Sequence, residues 1–202
     1  MSRDTSDTSD TTELPKVVVF KAGSKIPNLQ DYKNVTVVQE IGPGLSSAEF
    51  FNKRLQEEDI QDDVIYGFMG ENADYMTERA VSIIVNVLGQ GDEFGCLYSD
   101  ILLSTNSTLT RQYLPAFHPN LLSGKIMINS PLFIKGESLN KSEDLKFNEN
   151  LNVFYMHLFF VQASRTIFST HVADPLFILT QDGNTTVDAA KEITIIQQCL
   201  GL

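Results

Sequence analysis

Glu71, Asn72 and Asp74 fall within four residues of one another, just after the apolar run from Val64 to Phe68. Their carboxylate and amide oxygens are the hard donors that a divalent cation takes. Acids at such a strand-to-helix junction also commonly stay solvated or complement a helix N-terminus. His157 lies one position off an apolar helical stripe, where an imidazole can serve as a general base. No carboxylate stands close in sequence to orient it, so the structural role leads. His118, beside Pro119, reads as a surface residue, and His171, ahead of Asp174-Pro175, as a packed or edge histidine. Cys96 and Cys199 lie far apart beside apolar residues with no zinc-site spacing, and both read as buried thiols. Gly42-Pro43-Gly44 lacks the spacing of a phosphate loop and is explained by turn geometry. The acidic run from Glu57 to Asp63 reads as a solvated helix end, with a docking surface for a basic partner as its alternative.

The charge balance narrows the choice of partner. Against 26 Asp and Glu the 202 residues carry 15 Lys and Arg, a formal net charge of −11. The cations are scattered singly, so neither nucleic acid nor an anionic membrane surface is an expected partner. At 42% hydrophobic and 20% charged residues the composition is that of a globular chain. No apolar run approaches the roughly 20 residues of a membrane span. The first residues lack the basic and apolar regions of a secretory signal, which leads us to expect a cytoplasmic protein.

Residues 1–13 repeat Asp, Thr and Ser without an apolar residue after Met1, so we expect a disordered acidic tail. Residues 14–202 are expected to form a single α/β domain, because short β-branched runs alternate there with helix-period segments. Val17 to Phe20, Val35 to Gln39, Val64 to Phe68 and Cys96 to Leu103 read as strands. Ser46 with Glu49 forms a capping box for a helix running to about Glu58. Thr77 opens a second helix with Val81, Ile84, Val85 and Leu88 on one face. From Ser104 to Gly136 we expect loops with two short strands, Ile126 to Ile128 and Leu132 to Ile134. A helix carrying Leu151, Phe154, Tyr155, Leu158 and Phe159 follows, then strands near Ile167 and at Leu176 to Leu179. A last helix carries Ala189, Ile193, Ile196 and Leu200.

Taken in order, these segments resemble a family 2 glycosyltransferase of the GT-A fold, over roughly residues 16–183. The run VTVVQEIGPGLSSAEFFNKRLQ from Val35 resembles that family's strand, glycine turn and helix. IYGFMGENADYMTERAVSIIVNVL from Ile65 resembles the strand ending in the metal-binding DxD and its following helix, and GCLYSD the next strand. FNENL at Phe147 to Leu151 is similar to Phe-Asp-Glu-x-Leu, and DPLFILTQDG at Asp174 to Gly183 to Glu-Pro-Leu-x-Tyr-Arg-x-His. The resemblance implies a GT-A-like (nucleotide-diphospho-sugar transferase-like) mostly parallel sheet flanked by helices.

It also implies where the chemistry belongs, namely metal-assisted transfer from a nucleotide sugar with a separate carboxylate as base. At the DxD position stands Gly70-Glu71-Asn72. The nucleotide-contacting Asp-Asp-Gly-Ser corresponds to Lys21-Ala22-Gly23-Ser24, leaving Gly23 and Ser24 as a vestigial nucleotide pocket. The base motif falls at Tyr155-Met156, and Arg-x-His falls at Thr180-Gln181-Asp182. The family's first strand, in the middle of its sheet, has no counterpart before Val17. We therefore expect a catalytically impaired GT-A-like domain with no cofactor and a structural or interaction role, as a subunit of a larger assembly such as a viral particle. Protein partners are then expected, and a nucleotide sugar is not. The alternative is an active transferase using Mn²⁺ or Mg²⁺ on Glu71, Asn72 and Asp74, a UDP-sugar donor, and Glu149 or His157 as base. A carbohydrate-binding module keeping only the acceptor cleft is the third reading.

Deleting residues 1–13 removes no apolar contact, so the melting temperature of the shortened chain should equal that of the full chain within measurement error. A calorimetric drop of several degrees would contradict this.

Overall fold

The computed structural model describes residues 14–23, 28–29, 32–39, 44–91, 93–116, 129–142, 144–180 and 189–200. The tail at residues 1–13, Ser24, Gly42-Pro43, His118 and the strand expected at Ile126 to Ile128 lie outside them. The sheet has eight strands in the order β2-β1-β3-β7-β5-β8-β4, with β6 paired to β5. β1 (Val17–Lys21), β2 (Val35–Gln39), β3 (Ile65–Met69) and β5 (Cys96–Thr105) fall where their apolar runs place them. The others are β4 (Ala73–Met76), β6 (Thr108–Gln112), β7 (Leu132–Lys135) and β8 (Ser169–Thr180).

β1 runs parallel to β2 on one side and to β3 on the other, in continuous register. That leaves no strand position open between β1 and β3. The middle-of-sheet place expected to be missing is held by β1 itself. β5 and β8 are also parallel, whereas β3 with β7, β7 with β5, β5 with β6, and β8 with β4 are antiparallel. The sheet is thus mixed within the expected α/β architecture. A strand buried on both faces reads as a continuous apolar run whichever way its neighbour points.

Alternation along β1 explains the layers. Val18 and Phe20 face α1 (Ser47–Glu57) and α4 (Tyr155–Ala163), and Val17 and Val19 face α2 (Ala80–Gly89). The first face is aromatic. Phe147 stacks on Phe159 with centroids 3.9 Å apart, and Phe51, Phe68 and Tyr155 surround it. Each fully buried ring contributes about 1.5–3 kcal/mol. Asn52 of α1 fixes this cluster, donating to the Phe147 carbonyl at 2.9 Å and accepting its N–H at 2.7 Å.

The Ser46–Glu49 capping box forms as expected, with both reciprocal bonds present. Other boundaries differ for tertiary reasons. α2 begins at Ala80, not Thr77, because residues 73–76 pair with β8 as strand β4. The polar stretch after Ser104 turns at Asn106 and Ser107, both at positive φ, into the β5–β6 hairpin. The two strands expected around residues 167–179 are one strand, β8, with a bulge. A short helix α3 (Gly136–Asn140) follows β7, and α5 (Ala189–Leu200) closes the chain. Cys96 is buried as expected, but Cys199 is exposed, in an open groove where the Asn148 amide donates to its Sγ at 3.5 Å.

Asp100 ties the β5–β6 hairpin to β8. It is 1% exposed, and its Oδ2 accepts from Arg111 at 2.9 and 3.2 Å. Its Oδ1 accepts the Leu114 N–H at 2.9 Å and faces His171 Nε2 at 2.8 Å. Burial alone would raise this carboxyl, but the bonds from Leu114, Arg111 and His171 outweigh it and hold the pKa below the ordinary value. Asp100→Asn should cost about 3 kcal/mol in urea unfolding, since it strands Arg111 beside a neutral group. The unfolded carboxyl titrates near 3.9, so the contribution is complete above that pH and vanishes as pH falls through the lower folded value. The gap between wild type and Asp100→Asn should be full at about pH 7 and shrink by about pH 3; a gap that widens on acidification would refute the assignment.

Candidate functional site

A cavity of about 320 Å³ opens where β3, α1 and α4 meet. Its walls are Ser46 and Ser47 at the start of α1, residues 70–73 after β3, residues 129–131 before β7, and residues 151–153 with Tyr155 and Met156 at the start of α4. The resemblance places DxD at the second of these and the base at the last, and the fold brings the two together.

The floor is built on Lys21. At the end of β1 this side chain is fully buried, and its Nζ donates to the carbonyls of Ala22, Gly70 and Glu71 at 2.6, 2.9 and 3.1 Å. Its Nζ is therefore engaged with the turn beneath the cavity. Gly23 follows at φ +83°, a conformation favouring glycine. Its carbonyl accepts from Gln39 Nε2 at 2.8 Å, which fastens the turn to β2.

Glu71 and Asn72 are exposed and line the cavity. Glu71 Oε1 accepts from Ser47 Oγ at 3.3 Å. Asp74 does not join them. It is 4% exposed in β4, outside the cavity lining, and accepts from the Thr180 hydroxyl. Among the described residues no three His, Cys, Asp or Glu side chains gather as a metal site. Of the three expected ligands, Glu71 and Asn72 are thus the two that face the cavity together.

Tyr155 occupies the position matching the family's base. It is 7% exposed and faces Ser47 across the cavity. Burial, with the Glu71 charge added, pushes its phenol up to about 12, against the lowering effect of Ser47. At neutral pH it holds its proton and is no general base. Gly70 makes room for it, because a Cβ there would collide with the Tyr155 hydroxyl.

The two other expected bases lie elsewhere. Glu149 is exposed in a separate groove with Asn148, Asn150 and Gln162, accepting from Asn52 at 2.8 Å. His157 is 1% exposed inside α4 and does not line the cavity. Its helix is buried on nearly every side, so a position off the apolar stripe is still inside. Sequence reasoning passed over Ser47, Tyr155 and Glu192 as site-forming residues. Only the position of Tyr155 in the base motif pointed to any of them.

Gly70→Ala should destabilise the chain by about 1–3 kcal/mol through overpacking. In a Tyr155→Phe background the nearest ring carbon lies at 3.6 Å, an ordinary contact, so most of that cost should disappear. Equal costs in both backgrounds, read from chemical denaturation, would contradict the packing described.

No family model and no curated protein matches the chain in sequence. Solved structures do match in fold. S. aureus TarS residues 1–349 aligns at TM-score 0.57 and 10% identity, covering 82% of this chain and 60% of that one. The same region of TarS in complex with UDP-GlcNAc aligns at TM-score 0.61 and 10% identity, covering 92% and 65%. A further TarS structure aligns at 0.55 and 11%, covering 92% and 43%. This chain thus spans less than two thirds of each. At such identities the likeness is one of fold, and what it establishes is that this chain has a GT-A-like α/β fold.

Proposed function

We propose that this GT-A-like domain does not carry out metal-assisted nucleotide-sugar transfer and works as a structural or interaction protein within a larger assembly. The observation that carries this reading is the pairing of two wall positions. The turn matching DxD offers Glu71 and Asn72 alone, and the position matching the base is Tyr155, a phenol pushed up to about 12. The transferase alternative requires Asp74 as a ligand and Glu149 or His157 as base, and none of the three lines the cavity.

A second reading has its own support. Apart from Glu71, the polar groups lining the cavity are serine, asparagine and tyrosine. Neutral donors and acceptors of this kind suit a polyhydroxylated ligand better than a diphosphate, so a carbohydrate-binding role in the same cleft accords with the lining. UDP-GlcNAc is bound by the TarS neighbour, and here its diphosphate would meet the Glu71 carboxylate.

Calorimetric titration of the full chain with Mn²⁺ or Mg²⁺ plus UDP, and with UDP-GlcNAc, separates these readings. The expected result is no metal-dependent binding in the micromolar range. Metal-dependent UDP binding that is lost in Asn72→Ala would overturn the proposal in favour of transfer. Metal-independent heat with a free glycan would move the assignment to the carbohydrate-binding reading.

A further inference from the structure

The turn that leads into one wall helix of the cleft is held from another helix. Phe154 stands at the N-cap of α4 and its side chain makes no capping bond, and the amides of residues 152–154, in the turn ahead of the helix, need acceptors. The acceptor comes from α5. Glu192 is 3% exposed; one of its carboxylate oxygens accepts the Asn152 N–H at 2.9 Å, and the other accepts those of Val153 and Phe154 at 3.1 and 3.0 Å. One turn further along α5, Ile196 is 2% exposed within the aromatic-rich cluster that also holds α4.

These contacts lead straight into the cleft. Asn152 and Val153 line it, and Tyr155 follows in the first turn of α4, facing Ser47 on the opposite wall. The attachment of α5 is one-sided. Of its described side chains Glu192 and Ile196 are buried and Ile195 and Leu200 are half-buried against the same cluster, while Ile193, Thr194, Gln197 and Gln198 are exposed. A helix held along one face by one carboxylate and a few aliphatic side chains belongs to the low-stability end of a fold, where local opening is easiest.

We propose that α5 is a latch on the cleft wall. Docked, its Glu192 carboxylate fixes residues 152–154 and so holds Tyr155 against Ser47. Released, it leaves the three amides of the turn into α4 without that acceptor and the wall loosens, while the sheet stays intact. The latch goes beyond the functional reading above and operates whether the cleft binds a glycan, a protein or nothing.

Hydrogen exchange of the full chain tests it, compared with Glu192→Ala, Glu192→Gln and Ile196→Ala. Losing a charge-assisted acceptor should lower the protection of the 152–154 amides about tenfold or more in Glu192→Ala, with a smaller loss in Glu192→Gln, which keeps one acceptor oxygen. Ile196→Ala touches none of these bonds but should expose the same three amides by undocking the helix. Protection of the β1 amides should be unchanged throughout. Unchanged protection at 152–154 in Glu192→Ala, or an equal loss in β1, would overturn the latch. A Glu192→Ala chain that fails to fold would overturn it too, because a detachable helix cannot be required for the core to form.

Discussion

A buried ammonium group must find acceptors inside the protein, and in this chain the requirement falls on Lys21. Its charge cannot be left bare in an apolar interior, and its Nζ donates to the carbonyls of Ala22, Gly70 and Glu71. Those carbonyls belong to the ends of β1 and β3, two neighbouring parallel strands. Lys21 therefore joins the two strand ends and sets the path of the turn that carries Glu71 and Asn72. The cavity above inherits its floor from this arrangement. Gly23 and Gly70, the residues without side chains on either side of the junction, keep the space that Glu71 and Tyr155 fill.

The cleft is consequently a well-defined space. Its walls come from five separate chain segments, Leu179 of β8 included, and three contacts hold them. Asn52 holds the segment leading to Leu151, Glu192 holds the turn into α4, and the capping box holds the start of α1. What the walls present inward is apolar surface together with polar groups that, Glu71 apart, are neutral. The buried phenol of Tyr155 keeps its proton, and the carboxylates of Asp74 and Glu149 are engaged with Thr180 and Asn52 away from the cavity.

Much of the scaffold was legible before any coordinates. Alternating β-branched runs located β1, β2, β3, β5 and β7, the Ser46–Glu49 spacing located the start of α1, and the stripe from Val81 to Leu88 located the buried face of α2. These are short-range properties: side-chain period, backbone capping and apolar content act within a few residues and survive in the folded state. The order of the five matched pieces carried the GT-A-like fold for the same reason.

What required tertiary structure was everything decided by partners distant in sequence. Ala73 to Met76 is a strand only because β8 lies beside it, and that pairing delays α2 and turns Asp74 away from Glu71 and Asn72. His157 left the list of cleft residues because α4 is enclosed on nearly all sides, which a one-sided periodicity does not express. Lys21 stands in the stretch matching the nucleotide-contacting motif; three carbonyls, two of them from the turn after β3, make it an internal strut. Glu192 lies on the last helix, yet its carboxylate holds the turn that leads into another one. Local sequence determined which segments are helices and strands and which of their faces are apolar. The pairing of charges and amides across the fold, and with it the content of the cleft, depended on which distant groups folding brought within hydrogen-bonding distance, because a buried polar group is held only by the partners it meets there.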